Sequence, residues 1–450
     1  MSGAVPSPAE IAEALLAAAR SAGAEAADAV VIEERSSGID VRAGKLEEAG
    51  RSESMQLGLR VFMGQRSAIA SASDSRPDGF SGLAERAVAM ASEAPEDPYA
   101  GLAGPDELSA ARDAAGLDLD DPTEEPEPAA LEDWARAMEG AATAASGIAQ
   151  AEASASWGRS TLHLAASNGF SGGWSSTMSS LSCTAIGGEG LGMERDYDYD
   201  VRTHLGDLRG AEEIGARAAE RALARLGPRK PPTGKATVLY DERVAGSLIG
   251  HLLQAINGAA IARGASWARG LMGEAVLPEG LDLLEEPHRP RVPGSRRFDA
   301  EGLPTADRAL VEKGLLQSWL LDLSNARKLG LSSSANASRS ARSGPSPSAH
   351  NLRLTPGSAT REELLADMGT GLWVTSLIGA TINPNTGDYS RGASGFWVEN
   401  GEIAYPVSEC TIAGSLPDML RRIIPANDGR EHTGRVIPSL MIERMSIAGA

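Results

Sequence analysis

The side chains best suited to metal or proton chemistry in this chain are its six histidines, which are widely spaced. They are His163, His204, His251, His288, His350 and His432. The closest pair in sequence, His251 and His288, is 37 positions apart, and neither HExxH nor HExxxH occurs. Zinc sites on helices need two ligands one turn apart, and zinc fingers need paired Cys or His a few residues apart. The histidine spacing therefore provides no local metal site.

His251 is the histidine most open to a functional interpretation, because it lies on a predicted helix that follows a predicted strand. Its neighbours at helical spacing are apolar: Val244, Leu248, Leu252 and Ala255. Such a stripe is typical of a buried helix face and favours a hydrogen-bonded histidine at the edge of the core. The alternative is an autonomous hydrolase with a non-local site, in which the fold would bring His251, Glu274 and Asp322 together.

Residues 169–173 match the G-x-S-x-G pattern of a nucleophile elbow, with Ser171 at its centre. That elbow requires a strand, a sharp turn and then a helix. The residues after Gly173 are polar and β-prone, which indicates a strand instead. We therefore interpret these glycines as turn residues.

A basic island interrupts this acidic sequence. It consists of His288, Arg289 and Arg291, followed by Arg296 and Arg297. One interpretation is a set of solvated loop arginines. The other is a patch that grips an acidic partner or a peptide carboxylate, since arginine can form two parallel hydrogen bonds to a carboxylate.

Aromatic residues near the C-terminus offer a second candidate surface for a peptide. Trp373, Phe396, Trp397 and Tyr405 all lie on β-prone stretches. Such residues favour a core position, with a peptide groove or a partner contact as the alternative. Phe396 and Trp397 are the two that we carry forward as candidate contacts.

Composition narrows the class of protein. The chain has 450 residues and a net charge of −19, and residues 93–133 hold fourteen acids and one base, Arg112. This concentration predicts a solvated acidic loop and argues against nucleic acid as a direct ligand. Cys183 and Cys410 form no C-x-x-C pair, which indicates two buried thiols in a reducing cytoplasm. We expect no secretory signal and no membrane span, because Glu10 and Glu13 interrupt the first apolar stretch.

The predicted elements divide the chain at the linker 229–234. Residues 1–228 are predicted to form an N-terminal α+β domain, and residues 235–450 a β-rich C-terminal domain. In the first, Ser7 and Glu10 form a capping box, and Asp78 is expected to cap a later helix. Its predicted helices cover 80–92, 131–144 and 210–226, and its predicted strands cover 29–34, 39–42, 55–63, 67–73 and much of 148–204.

The C-terminal half is predicted to contain a rolled mixed or antiparallel sheet. A strand over 236–240 leads into a helix over 242–262, and residues 331–349 have the composition of a flexible segment. Thr360 and Glu363 form a second capping box, and Ser415 is expected to cap a short helix. The fold class is therefore α+β, in two domains with long antiparallel strands and helices in each half.

The stretch 392–407 predicts a tight β-hairpin near the C-terminus. Asn400 and Gly401 supply the two positive-φ residues of a type I′ turn, and the flanking runs alternate as strands do. Together with residues 408–420, this stretch resembles the C-terminal signature of the TldD/PmbA family, first named as modulators of DNA gyrase. Further resemblance lies in residues 58–62, 196–200, 221–227, 287–290 and 319–330, so it covers nearly the whole chain.

The resemblance also indicates which branch of the family this chain is similar to. TldD-type chains resemble zinc proteases with HExxxH on the helix after the first strand of the C-terminal half. Here that helix has His251, then Leu252 in place of the general-base glutamate and Ile256 in place of the second histidine. Residues 425–450 contain no cysteine that would serve as an extra ligand. The chain thus resembles the TldE/PmbA type, and the resemblance implies no catalytic residue, metal ligand or cofactor here.

The resemblance implies a non-catalytic subunit of a cytoplasmic TldD/TldE-type metalloprotease that cleaves unfolded or small peptides, in precursor processing or antitoxin turnover. Zinc would be bound only by a TldD-type partner in a heterodimer, and the isolated chain would form a homodimer. An apolar hairpin face carrying Phe396, Val398, Ile403 and Val407 would be buried either in its own domain or in an interface. The alternative function is a peptide- or protein-binding module without protease activity.

Overall fold

The computed structural model describes residues 6–449 and confirms the α+β class. A large antiparallel sheet forms the N-terminal half, and a mixed sheet that closes into a partial barrel forms the C-terminal half. No helix in this part of the chain is long and apolar enough to cross a membrane.

Six long strands make up the N-terminal sheet, all antiparallel and in the order β3-β2-β1-β4-β5-β6. They are β1 Ala26–Arg42, β2 Lys45–Met63, β3 Arg66–Ala72, β4 Ile148–Ala166, β5 Ser171–Gly187 and β6 Glu194–Arg202. Four helices accompany the sheet: α1 Pro8–Ser21, α2 Phe80–Glu93, α3 Pro128–Thr143 and α4 Ala211–Ala224.

All four helices cover the same face of this sheet. Alternate residues of β1, from Ala27 and Val31 to Ile39 and Val41, are buried beneath them. Helices α1 and α2 lie over the β1–β3 side, and α3 and α4 lie over β4 and β5. The opposite face is partly covered by Phe298 and Ala341 from the C-terminal half, and a groove on this face is lined mostly by polar residues.

The larger C-terminal sheet has the order β16-β15-β14-β7-β19-β17, and a further pairing of β16 with β19 rolls it toward closure. Its strands are β7 Gly234–Tyr240, β14 Gly371–Ile382, β15 Asp388–Glu399, β16 Glu402–Ser415, β17 Ile424–Pro425 and β19 Leu440–Ala448. Strand β14 runs parallel to β7, whereas its pairing with β15 is antiparallel.

Shorter elements complete the C-terminal half. A second sheet has the order β10-β9-β8-β13-β18, and β11 pairs with β12. These strands are β8 Leu283–Glu285, β9 Arg308–Glu312, β10 Leu315–Leu316, β11 Ala337–Ser338, β12 Ser346–Pro347, β13 Leu352–Leu354 and β18 Arg435–Val436. The helices are α5 Glu242–Ala255, α6 Gly258–Arg263, α7 Leu323–Leu329, α8 Arg361–Met368 and α9 Leu416–Leu420.

Local turn and cap chemistry was predicted well in most places. The Ser7 and Thr360 capping boxes are present, and Asn400 and Gly401 have φ values of 54° and 79° at the β15–β16 turn. Two caps are wrong. Helix α2 begins after a 3₁₀ turn at Pro77–Gly79 with no side-chain cap from Asp78, and the Ser415 side chain does not cap α9.

Two predicted strands in the first half are one continuous strand. Strand β1 pairs with both β2 and β4 along almost its full length, so the polar residues 33–38 remain extended. Strand β2 begins at Lys45, well before the predicted start at position 55. Residues 45–54 are exposed, so the hydrophobic alternation that reveals a strand is missing there.

The predicted helix 242–262 is divided into α5 and α6. The side chain of Asn257 accepts a hydrogen bond from Ala259 N at 3.0 Å and caps the start of α6. Asparagine favours such caps because its short polar side chain replaces a missing backbone partner.

The expectation that residues 331–349 are flexible is wrong. Asn336 is fully buried, and Ala341 packs against the N-terminal sheet beside Gly58. A Cβ at Gly58 would lie 2.3 Å from the carbonyl oxygen of Ala341. The small residues thus permit close approach between the halves. Cys183 and Cys410 are buried free thiols, as predicted.

Candidate functional site

Helix α5 follows β7 directly and carries the candidate His251. The side chain of Asp241 accepts a hydrogen bond from Arg243 N at 3.2 Å and begins the helix. Leu248 and Leu252 are fully buried in the C-terminal core, which confirms the predicted apolar stripe. The first two turns of α5 also line a cavity.

This cavity has a volume of about 580 Å³ and lies where the two halves of the chain meet. Strand β6 contributes Tyr197 and Tyr199 from the N-terminal half, and α5, β14, β15 and residues 430–437 contribute the other walls. Its charged lining residues are Glu242, Arg243, Arg391, Arg430 and Arg435. Four arginines and one glutamate thus line the cavity, within a protein that is acidic overall.

Two of these arginines are paired within the chain. Arg243 donates to Asp196 and to Asp241, each at 2.9 Å, and Arg430 pairs with Glu242. Although burial opposes the charged form, the two aspartates raise the pKa of Arg243. Burial raises the pKa of Glu242, even though the Arg430 guanidinium acts in the opposite direction. The Arg243–Asp196 pair joins α5 to β6 across the two halves.

The other two arginines have no carboxylate partner at ion-pair distance among residues 6–449. Arg391 Nε donates to the carbonyl oxygen of Gly379 at 2.7 Å. The Arg435 guanidinium makes no hydrogen bond to the described chain and lies 3.7 Å from where a Cβ on Gly250 would be. Thr375 lines the same cavity at 2 % exposure, and its Oγ1 has no hydrogen-bond partner.

His251 differs from the prediction of a hydrogen-bonded core histidine. Both ring nitrogens are buried, and neither has a hydrogen-bond partner in the part of the chain that the structure describes. The ring packs edge-on against Tyr389, with centroids 5.9 Å apart. Burial lowers the pKa of His251, and the positive charge of Arg391 lowers it further. Both effects disfavour the protonated form of the imidazole.

The side chains around His251 do not fit a zinc ion. Leu252 and Ile256, at the positions of the protease motif's glutamate and second histidine, are fully buried in the apolar core. Asp322 accepts hydrogen bonds from Asn325 and caps α7. Across residues 6–449, no group of three or more His, Cys, Asp or Glu side chains is arranged to hold a metal. Lone His251 offers too few ligands for an open catalytic site.

The basic island is engaged within the chain rather than free. His288 Nε2 lies 3.0 Å from Thr305 Oγ1. Arg289 donates to the carbonyl oxygens of Glu431 and Thr433, so it fixes the 430–437 segment that walls the cavity. Arg291 pairs with Asp118 at 2.6 Å and with Asp207 at 3.2 Å. Arg289 is thus engaged with backbone carbonyls, whereas Arg291, with its side chain 48 % exposed, remains a solvent-accessible loop arginine paired with the chain's own acids.

The candidate aromatic contacts are internal as well. Trp397 is part of the large C-terminal core, and Phe396 is buried against Trp373 with ring centroids 5.2 Å apart. Val398 and Val407 are also buried, and only Ile403 of the hairpin face is exposed, at 52 %. The hairpin face is therefore buried within its own chain and offers little apolar surface to a partner.

Sequence reasoning missed the side chains that make the cavity distinctive. The alternation in residues 196–200 was the available signal, since it places aspartates on one face of β6 and tyrosines on the other. Asp196, Asp198 and Asp200 are buried against arginines, whereas Tyr197 and Tyr199 stack at 6.0 Å along the cavity wall. No sequence spacing links Thr375, Arg391 and Arg435, because the cavity forms between distant strands.

Family models match three consecutive parts of this chain. They are described as PmbA/TldA metallopeptidase domain 1, central domain and C-terminal domain, and they match residues 27–91, 121–226 and 233–449. The central match ends and the C-terminal match begins on either side of the 229–234 segment.

Individual relatives extend over nearly the whole length. The metalloprotease PmbA of Escherichia coli O157:H7 is 38% identical over 442 residues, covering 96% of this chain and 94% of the relative. A solved structure named as a modulator of DNA gyrase, from Bacteroides thetaiotaomicron, has a TM-score of 0.90 at 27% identity, covering 98% of both chains. TldE from Thermococcus kodakarensis shares the fold, with a TM-score of 0.83 at 21% identity over 98% of this chain and all of that one.

Matches to all three domain models and to a full-length relative confirm the resemblance on which the sequence argument depended. The chain belongs to the PmbA/TldD family of metallopeptidases.

Proposed function

We propose that this chain is the non-catalytic, TldE/PmbA-like subunit of a cytoplasmic TldD/TldE-type metalloprotease. The observation that carries the proposal is the buried, apolar side of α5 and of Ile256, the residue that follows it. Leu252 and Ile256 are fully buried where a protease of this type needs its general base and second zinc ligand. A catalytic zinc site needs several protein ligands and an open coordination position, and His251 alone supplies one ligand at most.

The N-terminal sheet supports a role in holding extended peptides. Strand β3 pairs only with residues 57–63 of β2, so residues 45–56 form an outer edge without a neighbouring strand among the described residues. An open edge can accept a peptide as an added strand through backbone hydrogen bonds, with little dependence on its sequence. We propose that unfolded or small peptides are held in this way.

The sheet face opposite the helices supports a role as a wall of a shared chamber. A groove of about 510 Å³ lies on it, with serine side chains on several neighbouring strands. They include Ser36, Ser52, Ser54, Ser160 and Ser176. A polar face of this size that no helix covers suits the solvated wall of a chamber better than the apolar interface of an obligate complex. In this proposal, peptide precursors and labile antitoxins are the substrates, and zinc belongs to the TldD-type partner.

Co-purification from the native cell tests the proposal. The chain, tagged and expressed at its natural level, is expected to recover a homologue that carries HExxxH. Recovery of that homologue with excess free peptide present shows that the pairing does not depend on substrate. Recovery of peptides or unrelated clients without any such homologue would overturn the subunit proposal and favour the binding module.

A further inference from the structure

The cavity at α5 has features of a binding site that the accessory role alone does not require. Its volume of about 580 Å³ is in the range of small-molecule sites. Its walls come from both halves of the chain, as is common for ligand pockets. The Arg243–Asp196 pair at 2.9 Å holds β6 against α5.

Unpaired positive charge indicates the chemistry of the ligand. Arg243 and Arg430 are neutralised by Asp196, Asp241 and Glu242, as described above. Arg391 and Arg435 have no such partner within residues 6–449, although the chain carries a net charge of −19. Two arginines facing a cavity and free of carboxylates attract an anion, and their planar groups match an oxyanion.

Buried donors without partners indicate that the ligand accepts hydrogen bonds. Thr375 Oγ1 is buried in the cavity wall with no partner, whereas buried polar groups in proteins are nearly always hydrogen-bonded. Arg391 on β15 and Arg435 on β18 line the same cavity as Thr375 on β14, so these donors approach it from three different strands.

The single carboxylate and the aromatic rings of the lining further restrict the chemical class of the ligand. Glu242 is the one carboxylate in the lining, and it is already paired with Arg430, so the cavity does not suit a metal cation. Tyr197 and Tyr199 stack along one wall, and Tyr197 is 40 % exposed, which provides an apolar contact for an organic group next to the charge. An anion attached to a small organic body fits these walls better than a bare ion.

We propose that this cavity binds the C-terminal carboxylate of a short peptide, held by Arg391 and Arg435 and by the hydroxyl of Thr375. The site goes beyond the proposed function, since the isolated chain can bind such a peptide whether or not it pairs with a protease. Inorganic phosphate is also an oxyanion that arginines bind. The experiment therefore has to distinguish a peptide carboxylate from free phosphate.

Calorimetric titration of the full chain provides the test, with trialanine as the probe, trialanine amide, which lacks the C-terminal carboxylate, as the matched peptide, and inorganic phosphate as the third arm. We expect trialanine to bind and the amide to bind at least about tenfold more weakly, the loss expected for a charge-assisted hydrogen bond. Equal binding of the two peptides, or no binding of trialanine at millimolar concentration, would overturn the proposal. Binding of phosphate alone would replace the peptide with an inorganic anion.

Three variants locate the site. Arg391→Gln and Arg435→Gln are each expected to weaken trialanine binding about tenfold or more. Thr375→Val removes a hydroxyl that has no partner in the free chain, so it is expected to leave the melting temperature unchanged while weakening binding. Arg20→Gln, at an exposed position on α1, is the matched control and is expected to bind like the parent chain. Unchanged trialanine binding in Arg391→Gln, Arg435→Gln and Thr375→Val would exclude this cavity as the peptide site.

Discussion

The guanidinium of Arg339 donates to the carboxylate of Asp28, although the two residues are 311 positions apart in sequence. Asp28 lies on β1, and Arg339 belongs to the 331–349 segment that crosses the N-terminal sheet. Arg60 on β2 donates to the same carboxylate at 2.8 Å, and all three side chains are largely buried. A buried carboxylate thus ties the two halves of the chain together.

Replacing this carboxylate is expected to destabilise the whole protein. Asp28→Asn leaves two buried guanidinium groups without their counter-charge, which typically costs about 3–5 kcal/mol in the free energy of unfolding. Urea titration at neutral pH measures the change. Asp74→Asn is the matched control, because Asp74 and Arg76 form an exposed pair on the surface. Equal midpoints for the two variants would contradict a structural role for Asp28.

The ion pairs of Asp28 with Arg339 and Arg60 also predict how the stability of the protein depends on pH. Burial opposes ionisation of Asp28, but the charges of Arg339 and Arg60 outweigh it and lower its pKa below the usual value of 3.8. A depressed folded-state pKa contributes stability above the unfolded-state pKa of about 3.9. That contribution is lost as the pH falls through the folded-state pKa. The difference in stability between parent and Asp28→Asn is therefore expected to shrink in acid, and a constant difference would refute the assignment.

The close contact at Gly58 predicts a second effect on stability. In Gly58→Ala the new Cβ would lie 2.3 Å from the carbonyl oxygen of Ala341, so the backbone must move, at a cost of about 1–3 kcal/mol. Gly50 lies on the same strand with no atom within 4 Å of its added Cβ. Gly50→Ala is therefore expected to be neutral or slightly stabilising in the same urea titration. Two equally stable variants would show that the 331–349 segment is not packed as described.

Sequence patterns predicted secondary structure correctly where one face of a helix or strand is buried and the other is exposed to solvent. Helix α5 and the Asn400–Gly401 turn are examples, because apolar spacing and turn chemistry are local signals. The patterns failed for residues 45–54 of β2, which are exposed throughout and so carry no alternation. They also failed for residues 331–349, where small residues permit close packing rather than motion.

The candidate site was less predictable than the fold. His251 was identified because it lies on a recognisable helix. The partners of Arg289 and Arg291 were not, because an arginine cluster does not reveal whether its carboxylates and carbonyls lie within the same chain. Thr375, Arg391 and Arg435 carry no sequence signal, since their proximity depends on how β14, β15 and β18 meet α5.

Self-association of the isolated chain remains a prediction of the family resemblance. Since Phe396, Val398 and Val407 are buried within the chain, the hairpin face does not provide the interface. Light scattering coupled to size exclusion is expected to report about twice the chain mass of 46.6 kDa. A stable dimer typically buries more than about 1,200 Å². A monomer at micromolar concentration would mean that pairing requires the TldD-type chain.

Direct binding to duplex DNA is not expected, despite the gyrase name carried by a relative. The basic island that offered the best candidate surface is paired with Asp118, Asp207 and backbone carbonyls. With Arg289 and Arg291 already paired, the island offers few phosphate contacts and little counterion release. Fluorescence anisotropy with a labelled duplex at physiological salt is the measurement. Micromolar binding that falls steeply with added salt would contradict this expectation.

Peptide cleavage by the chain with and without its partner tests the central claim most directly. Both proteins are produced in a host that lacks family members, so that no trace of an HExxxH-bearing chain contaminates the preparation. Zinc content is measured on the same zinc-loaded samples by elemental analysis. We predict that the chain alone holds no stoichiometric zinc and leaves an unstructured peptide intact, and that adding the HExxxH-bearing homologue starts cleavage. One tightly bound zinc per chain together with cleavage by the chain alone would contradict this account.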